Sequence, residues 1–447
     1  MPERRTRRTA PAINLAVLAV VTIASLALVE IGLRLAVGDA STTVLYRPDP
    51  DWIAQFRPDL DVLLRSEQSG QPVRLRTDGR GDRVGEEPPR AGDRRVVVYG
   101  DSNIAALFSP YAATYPARLG AELGPGFAVT NAGVVGFGPD QALLRMEKEY
   151  DELRPSLVIF HLFLDNDFGD LVRDRLVAVE DGRLVRTGRK ETDPAFALLP
   201  RLEAESLTVR YLLRGYDLLR QSLLHSERSK ALARHLPRRQ DVLDSLTTPG
   251  SPEESDSPTA RPASEAAALR PGARLRQAAK EVEDYRSGRA GSWLWGDDYD
   301  YDLALEPDGE GARLKRELMR AVLAEAQRFV AGRGGRILFL LQPSIHDLGE
   351  NTRIGPAQLA AASPAYRPRG REEFVREVLR GLGAATLSLW DPFVAAGPAG
   401  LYWIGDDHWN PAGMGLAARE TARYVRGRWP ELFARPTTTA AGTPAAP

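Results

Sequence analysis

The 447-residue sequence contains no cysteine. Disulfide staples, a thiolate nucleophile and cysteine-ligated metal sites are excluded with it. The absence fits either side of a membrane and does not locate the chain. Net charge is also missing: 59 Lys and Arg against 60 Asp and Glu leave a formal −1. No global field favours nucleic acid or acidic lipid, so no nucleic-acid partner is expected. Histidine is scarce, at five residues, so each can be weighed as a base. No internal repeat is visible. What remains is an ordinary globular balance, 43% hydrophobic and 27% charged. That suffices for one large α/β domain with insertions, or for two domains.

Charge is unevenly placed at the N-terminus. Arg4, Arg5, Arg7 and Arg8 precede a charge-free run over 9–29, and apolar character continues over 31–37, broken only by Arg34. About 20 apolar residues cross a bilayer as a helix. The pattern predicts a cytoplasmic basic tail over 1–12, a transmembrane anchor over 13–37 and an extracytoplasmic remainder. A cleaved signal peptide is the rival reading. Its apolar core would be unusually long, and no convincing small-x-small cleavage site precedes Glu30.

Residues 38–92 read as a stalk with some short strands. From Arg94, apolar β-branched runs alternate with amphipathic stretches. Candidate strands are Val96 to Val98, then 127–131, 157–164, 336–341 and 385–390. Candidate helices cover 114–123, 138–153, 315–330 and 371–382. The alternation predicts an α/β domain over 93–430, a five-stranded parallel sheet with helices on both faces. Chemistry in such sheets sits outside the carboxyl ends of the strands. A helical insertion over about 170–311 interrupts the alternation. Within it, residues 247–265 are poor in apolar side chains and are expected to be disordered, as is the tail 431–447. Trp293, Trp295, Tyr299 and Tyr301 cluster there, either to stack on carbohydrate or to pack the insertion.

Ser102 follows the first apolar strand through Gly100 and Asp101, at a turn before a short helical segment. A serine there becomes a nucleophile when a base takes its proton and a third group orients the base. The plainer alternative is that Asp101 or Ser102 only caps a helix. His408 offers the base, with Asp406 and Asp407 immediately before it. Asp406 can fix the imidazole tautomer. A metal site of these three residues is discounted, because no second histidine lies at ligand spacing. No metal or organic cofactor is expected. His346 competes as base, His161 suits a structural role in its strand, and His225 and His235 look incidental. Gly136 and Asn166 follow the next two strands. They are candidates for a backbone and a side-chain N–H donor to an oxyanion, or for plain turn and cap roles.

Four segments, GDSN at 100–103, NAGVVGFG at 131–138, FLDND at 163–167 and DDHWNPAG at 406–413, resemble blocks I, II, III and V of the SGNH/GDSL hydrolases, in that family's order. The resemblance covers roughly 94–169 and 312–425. It implies a flavodoxin-like three-layer fold, with Ser102 as nucleophile and first oxyanion donor. It likewise implies Gly136 and Asn166 as further oxyanion donors and His408 as base. Two departures stand out. Asn103 replaces the leucine that many members place after the serine. Gly405 occupies the common acid position, which leaves Asp406 as the acid. The resulting block V is similar to that of alginate O-acetyltransferase-like members.

The expected activity is therefore serine-dependent ester hydrolysis or O-acetyl transfer on cell-envelope carbohydrate. The substrate would be an acylated small molecule, polysaccharide or lipid. A lipase or lysophospholipase is the alternative enzyme, and an envelope scaffold protein the non-enzymatic one.

Overall fold

The computed structural model describes residues 9–37, 45–66, 68–86, 94–187, 206–209, 211–212, 271–288, 299–349, 355–404 and 406–434. Residues 247–265, 435–447, Trp293, Trp295, His225 and His235 lie outside them. The chain divides into two compact units, 1–45 with 190–262 and 46–189 with 263–447.

In the first unit the N-terminal apolar run forms one helix, α1 (Thr9–Val37). Its single carboxylate, Glu30, accepts hydrogen bonds from Ser206 Oγ, Thr208 Oγ1 and the backbone N–H groups of Leu207 and Thr208. Those backbone donors open a helical turn and have no partner within it. Among the described residues no helix is long and apolar enough to cross a membrane. Several α1 side chains lie outside those residues.

The second unit begins with a hairpin of β1 (Tyr46–Asp49) and β2 (Ile53–Phe56). Next come β3 (Asp61–Arg65), β4 (Pro72–Thr77) and β5 (Arg83–Val84). The alternating core follows, with β6 (Arg94–Gly100), α2 (Ser102–Ala105), α3 (Tyr115–Leu123), β7 (Phe127–Gly133), α4 (Pro139–Leu153), β8 (Leu157–Phe163) and α5 (Asp167–Asp174). A second hairpin, β9 (Val177–Glu180) with β10 (Arg183–Arg186), lies early in the insertion, and helix α6 (Pro271–Arg286) and a short helical turn (Tyr301–Leu305) lie late in it. The core resumes with α7 (Glu310–Ala331), β11 (Ile337–Gln342), α8 (Gly370–Gly381), β12 (Ala385–Ser388) and α9 (Pro411–Arg428).

The main sheet runs β12-β11-β8-β6-β7-β5-β4-β3. The first five strands are parallel, as the alternating pattern predicts. The sheet is nevertheless eight-stranded and mixed, because β5, β4 and β3 add antiparallel pairs from the segment read as a stalk. Along β4, Val73 and Leu75 are buried while Arg74 lies exposed between them. A strand buried on one face alternates in this way, and its arginines hide it from a search for apolar runs.

Both faces of the parallel half are covered. Val97 and Tyr99 of β6 enter one core with Leu143 and Met146 of α4 and Leu318 and Val322 of α7. Val96 and Val98 enter the other with Leu119 of α3 and Ala418 and Val425 of α9. Strand alternation sends neighbouring valines to opposite cores, which explains why the run is uniformly apolar. From β6 the chain winds first to β7 on one side and then to β8 on the other. The carboxyl end of β6 is thus a topological switch point, where ligand sites form.

Candidate active site

At that point Asp101 leaves the strand and caps α2, accepting the Asn103 N–H at 2.9 Å. The capping alternative therefore holds for Asp101, while Ser102 starts the helix with its hydroxyl directed elsewhere. α2 is a single turn, ended by Ala106 in the left-handed region at φ 50°. It rests closely on β7: a Cβ on Gly133 would fall 2.5 Å from the Ala105 nitrogen. Buried Arg83 of β5 donates to the carbonyls of Ala105, Ala106 and Ser109 at 2.6, 2.5 and 2.7 Å. Burial without a carboxylate partner lowers this guanidinium to about 10.

The loop before α9 brings the histidine. Trp403 N–H donates to the His408 carbonyl at 3.0 Å. Asn410 caps α9, accepting the N–H groups of Ala412 and Gly413. His408 Nε2 then lies 2.7 Å from Ser102 Oγ. Its Nδ1 lies 2.6 Å from Asp406 Oδ1 and 3.1 Å from Asp407 Oδ1. Asp406 Oδ1 also accepts the His408 backbone N–H at 2.7 Å, and Gln68 Nε2 donates to its other oxygen. Phe108 meets the imidazole edge-on at 5.1 Å.

The electrostatics follow from this geometry. Burial disfavours the imidazolium, but Asp406 and Asp407 outweigh it and raise His408 well above its usual 6.5. Burial likewise opposes ionisation of Asp406, and the His408 contacts hold its carboxyl below the ordinary range. Asp406, Asp407 and His408 also have ligand atoms within 4.8 Å of one another. A cation there would compete for Nδ1 with both carboxylates, while Nε2 is engaged with Ser102.

Gly136 and Asn166 each stand three residues beyond the strands flanking β6. Gly136 has φ 77°, a conformation that favours glycine. Asn166 precedes α5, and its buried Oδ1 has no hydrogen-bond partner among the described residues. Among the described residues neither is hydrogen-bonded to Ser102 or His408.

Of the competing histidines, His346 packs edge-on against Tyr299 at 5.2 Å. His161 is buried under the nucleophile turn, its Nδ1 3.5 Å from Asp101 Oδ1 and its Nε2 3.0 Å from Gln342 Oε1. Tyr299 and Tyr301 are 2% and 3% exposed, so both serve packing rather than carbohydrate stacking. Tyr299 and Tyr366 donate to Asp347 Oδ1, whose carboxylate also holds Arg371 at 2.6 Å. Beside them Asp165 is fully buried. Burial pushes it well above the carboxylate range, against Arg371 and reinforced by Asp407. Gln68, Arg83, Asn103 and Gln342 were not singled out by sequence as site residues. Only Asn103 gave a signal, as a polar side chain where leucine is common.

Residues 287–447 match the family described as SGNH hydrolase-like domain, acetyltransferase AlgX. The matched stretch contains Asp406 and His408 and starts after Ser102, Gly136 and Asn166. No curated protein matches. Among solved structures, the chain is similar to a catalytic mutant of Axe2, an acetylxylan esterase from Geobacillus stearothermophilus. The identity is 11% over 76% of this chain and 96% of that one, with a TM-score of 0.30. It is also similar to Est24, a carbohydrate acetylesterase from Sinorhizobium meliloti, at 8% identity over 75% and 99%, with a TM-score of 0.32. TM-scores this low carry no argument about activity. The family match thus covers the C-terminal third of the chain, where it agrees with the resemblance of the DDHWNPAG segment to block V of alginate O-acetyltransferase-like SGNH proteins.

Proposed function

We propose that the protein is a serine esterase or O-acetyltransferase acting on cell-envelope carbohydrate, anchored by α1 with its second unit extracytoplasmic. One observation carries the chemistry: Asp406, His408 and Ser102 form a hydrogen-bonded chain of 2.6 and 2.7 Å at the carboxyl end of β6. His408 Nε2 takes the Ser102 proton as Oγ bonds to the acyl carbon. The imidazolium is held by Asp406 and Asp407. Collapse breaks the ester C–O bond, and the leaving alcohol receives the proton from Nε2. Water or a sugar hydroxyl then gives its proton to His408 and takes the acyl group, restoring Ser102. The Ser102 and Gly136 N–H groups and the Asn166 amide serve as oxyanion donors.

The AlgX-type match favours acetyl groups on carbohydrate. The anchor rests on the four arginines and the charge-free run of the sequence. The test is turnover of acetylated sugars against long-chain lipid esters, with and without a sugar acceptor. Acetylated sugars should be preferred, and Ser102→Ala should abolish turnover. Preference for long-chain esters would make the protein a lipase. A reporter fused after Val37 should be active only outside the cytoplasm, and full-length protein recovered soluble in the cytoplasm would rule out the anchor.

A further inference from the structure

We propose that Asn103 is a positioning residue that fixes the register of the His408 loop on the nucleophile turn. The proposal rests on Ser102 being the nucleophile and His408 its base.

Asn103 follows Ser102, is 2% exposed, and has every polar atom of its side chain engaged. Its Oδ1 accepts the Trp409 N–H at 3.0 Å and Gln342 Nε2 at 3.1 Å. Its Nδ2 donates to Asp101 Oδ2 at 3.3 Å. With two donors on one end and a carboxylate on the other, the amide can be oriented only one way. Gln342 closes β11, and its Oε1 is in turn satisfied by His161. The amide thus ties the ends of β6 and β11 to the loop before α9.

The tie lies directly behind the chemistry. Ser102 is bonded covalently to Asn103, Asn103 by hydrogen bond to Trp409, Trp409 covalently to His408, and His408 by hydrogen bond to Ser102. Two peptide links and two hydrogen bonds close a ring. With the Asn103–Trp409 bond in place the backbone beside His408 is tethered to the nucleophile turn, which limits how far Nε2 can move from Oγ. The leucine common at this position offers no acceptor and would leave the Trp409 N–H buried and unsatisfied. Nothing else among the described residues bonds that N–H, so Asn103 is the feature that allows DDHW to seat here.

The test uses the full-length protein and an activated acetyl ester. Asn103→Leu and Gln342→Met are each made in the wild type and in His408→Ala, with thermal unfolding as the fold control. Asn103→Leu should lower kcat by about 10²-fold, the scale of a misplaced catalytic group, with KM nearly unchanged. In His408→Ala it should cost nothing further, since it acts through the histidine. Gln342→Met should give a smaller fall with the same dependence on His408. The proposal is overturned if Asn103→Leu leaves kcat intact, moves KM alone, or costs the same factor with and without His408. If Asn103→Leu does not fold, the Gln342→Met pair decides by the same criterion. Turnover that survives in Ser102→Ala would refute the nucleophile assignment itself, whatever Asn103 does.

Discussion

Asp406 and Asp140 are the same side chain held in opposite states by two regions of one unit. Asp406 is partly open to solvent and touches an imidazole, a backbone N–H and Gln68. Burial opposes its charge, yet these contacts keep its carboxyl below the usual range. Asp140 lies in the first turn of α4, fully buried. The Gln141 N–H reaches its Oδ1, and its Oδ2 has no hydrogen-bond partner among the described residues. Burial pushes it up to about 7, with the neighbouring Asp170 adding to the rise. Asp170 is pushed to about 6 by burial despite Arg173. Each of these carboxylates meets a donor, and Asp170 also meets the Arg173 guanidinium, but only at Asp406 do the contacts outweigh burial. Between α4 and α5 burial, together with the mutual repulsion of Asp140 and Asp170, outweighs the partners.

The largest effect should come from breaking the first region. Asp406→Asn should lower kcat/KM on an activated acetyl ester by about 10⁴, as loss of an orienting aspartate does in serine proteases. Asn166→Ala should cost about 10²–10³, the scale of one oxyanion donor. Asp407→Asn should cost far less than either, because its 3.1 Å contact shares Nδ1 with a closer carboxylate. The opposite ranking of the two aspartates would move the acid to Asp407.

A smaller effect appears in the pH profile. With His408 raised well above 6.5, the acid limb of kcat/KM should lie above that value, since only the neutral imidazole accepts the Ser102 proton. Asp407→Asn should move the limb down. The same group acts on stability with a definite sign. Its folded value is raised, so its contribution is complete below about 6.5 and lost as pH rises through the folded value. A limb at or below 6.5 would contradict the two-carboxylate account.

The smallest effect sharpens the second region. Asp140 also has a raised folded value, so its protonated form contributes fully below 3.8, and that contribution fades as pH climbs to about 7. Asp140→Asn should therefore raise Tm by a few degrees at pH 8 and change it little at pH 4, by calorimetry. An equal change at both pH values would mean that ionisation of Asp140 is not what destabilises the wild type.

The parallel half of the fold was legible because its strands are buried on both faces and so read as apolar runs, from Val96–Val98 to 336–341. β3 to β5 were not, because Arg74 and Arg76 alternate with Val73 and Leu75 and mask an edge that one face buries. At the site, Ser102, Asp406 and His408 are legible as motif residues, and the structure brings them into hydrogen-bonding contact. Gln68 and Arg83 are not, since one arrives from the turn between β3 and β4 and the other from β5, and both act through contacts remote in sequence. Asp407 shows the limit of local reasoning. Spacing points to Asp406 as the acid, yet both carboxylates reach Nδ1, at 2.6 and 3.1 Å.

The central claim is that the Ser102 hydroxyl is activated by His408. The most direct measurement is labelling of the full-length protein with a fluorophosphonate at modest concentration, followed by peptide mapping. The account predicts a single modified residue, Ser102, with labelling lost in Ser102→Ala and strongly slowed in His408→Ala. Labelling that persists in folded Ser102→Ala, or none in the folded wild type, would contradict it.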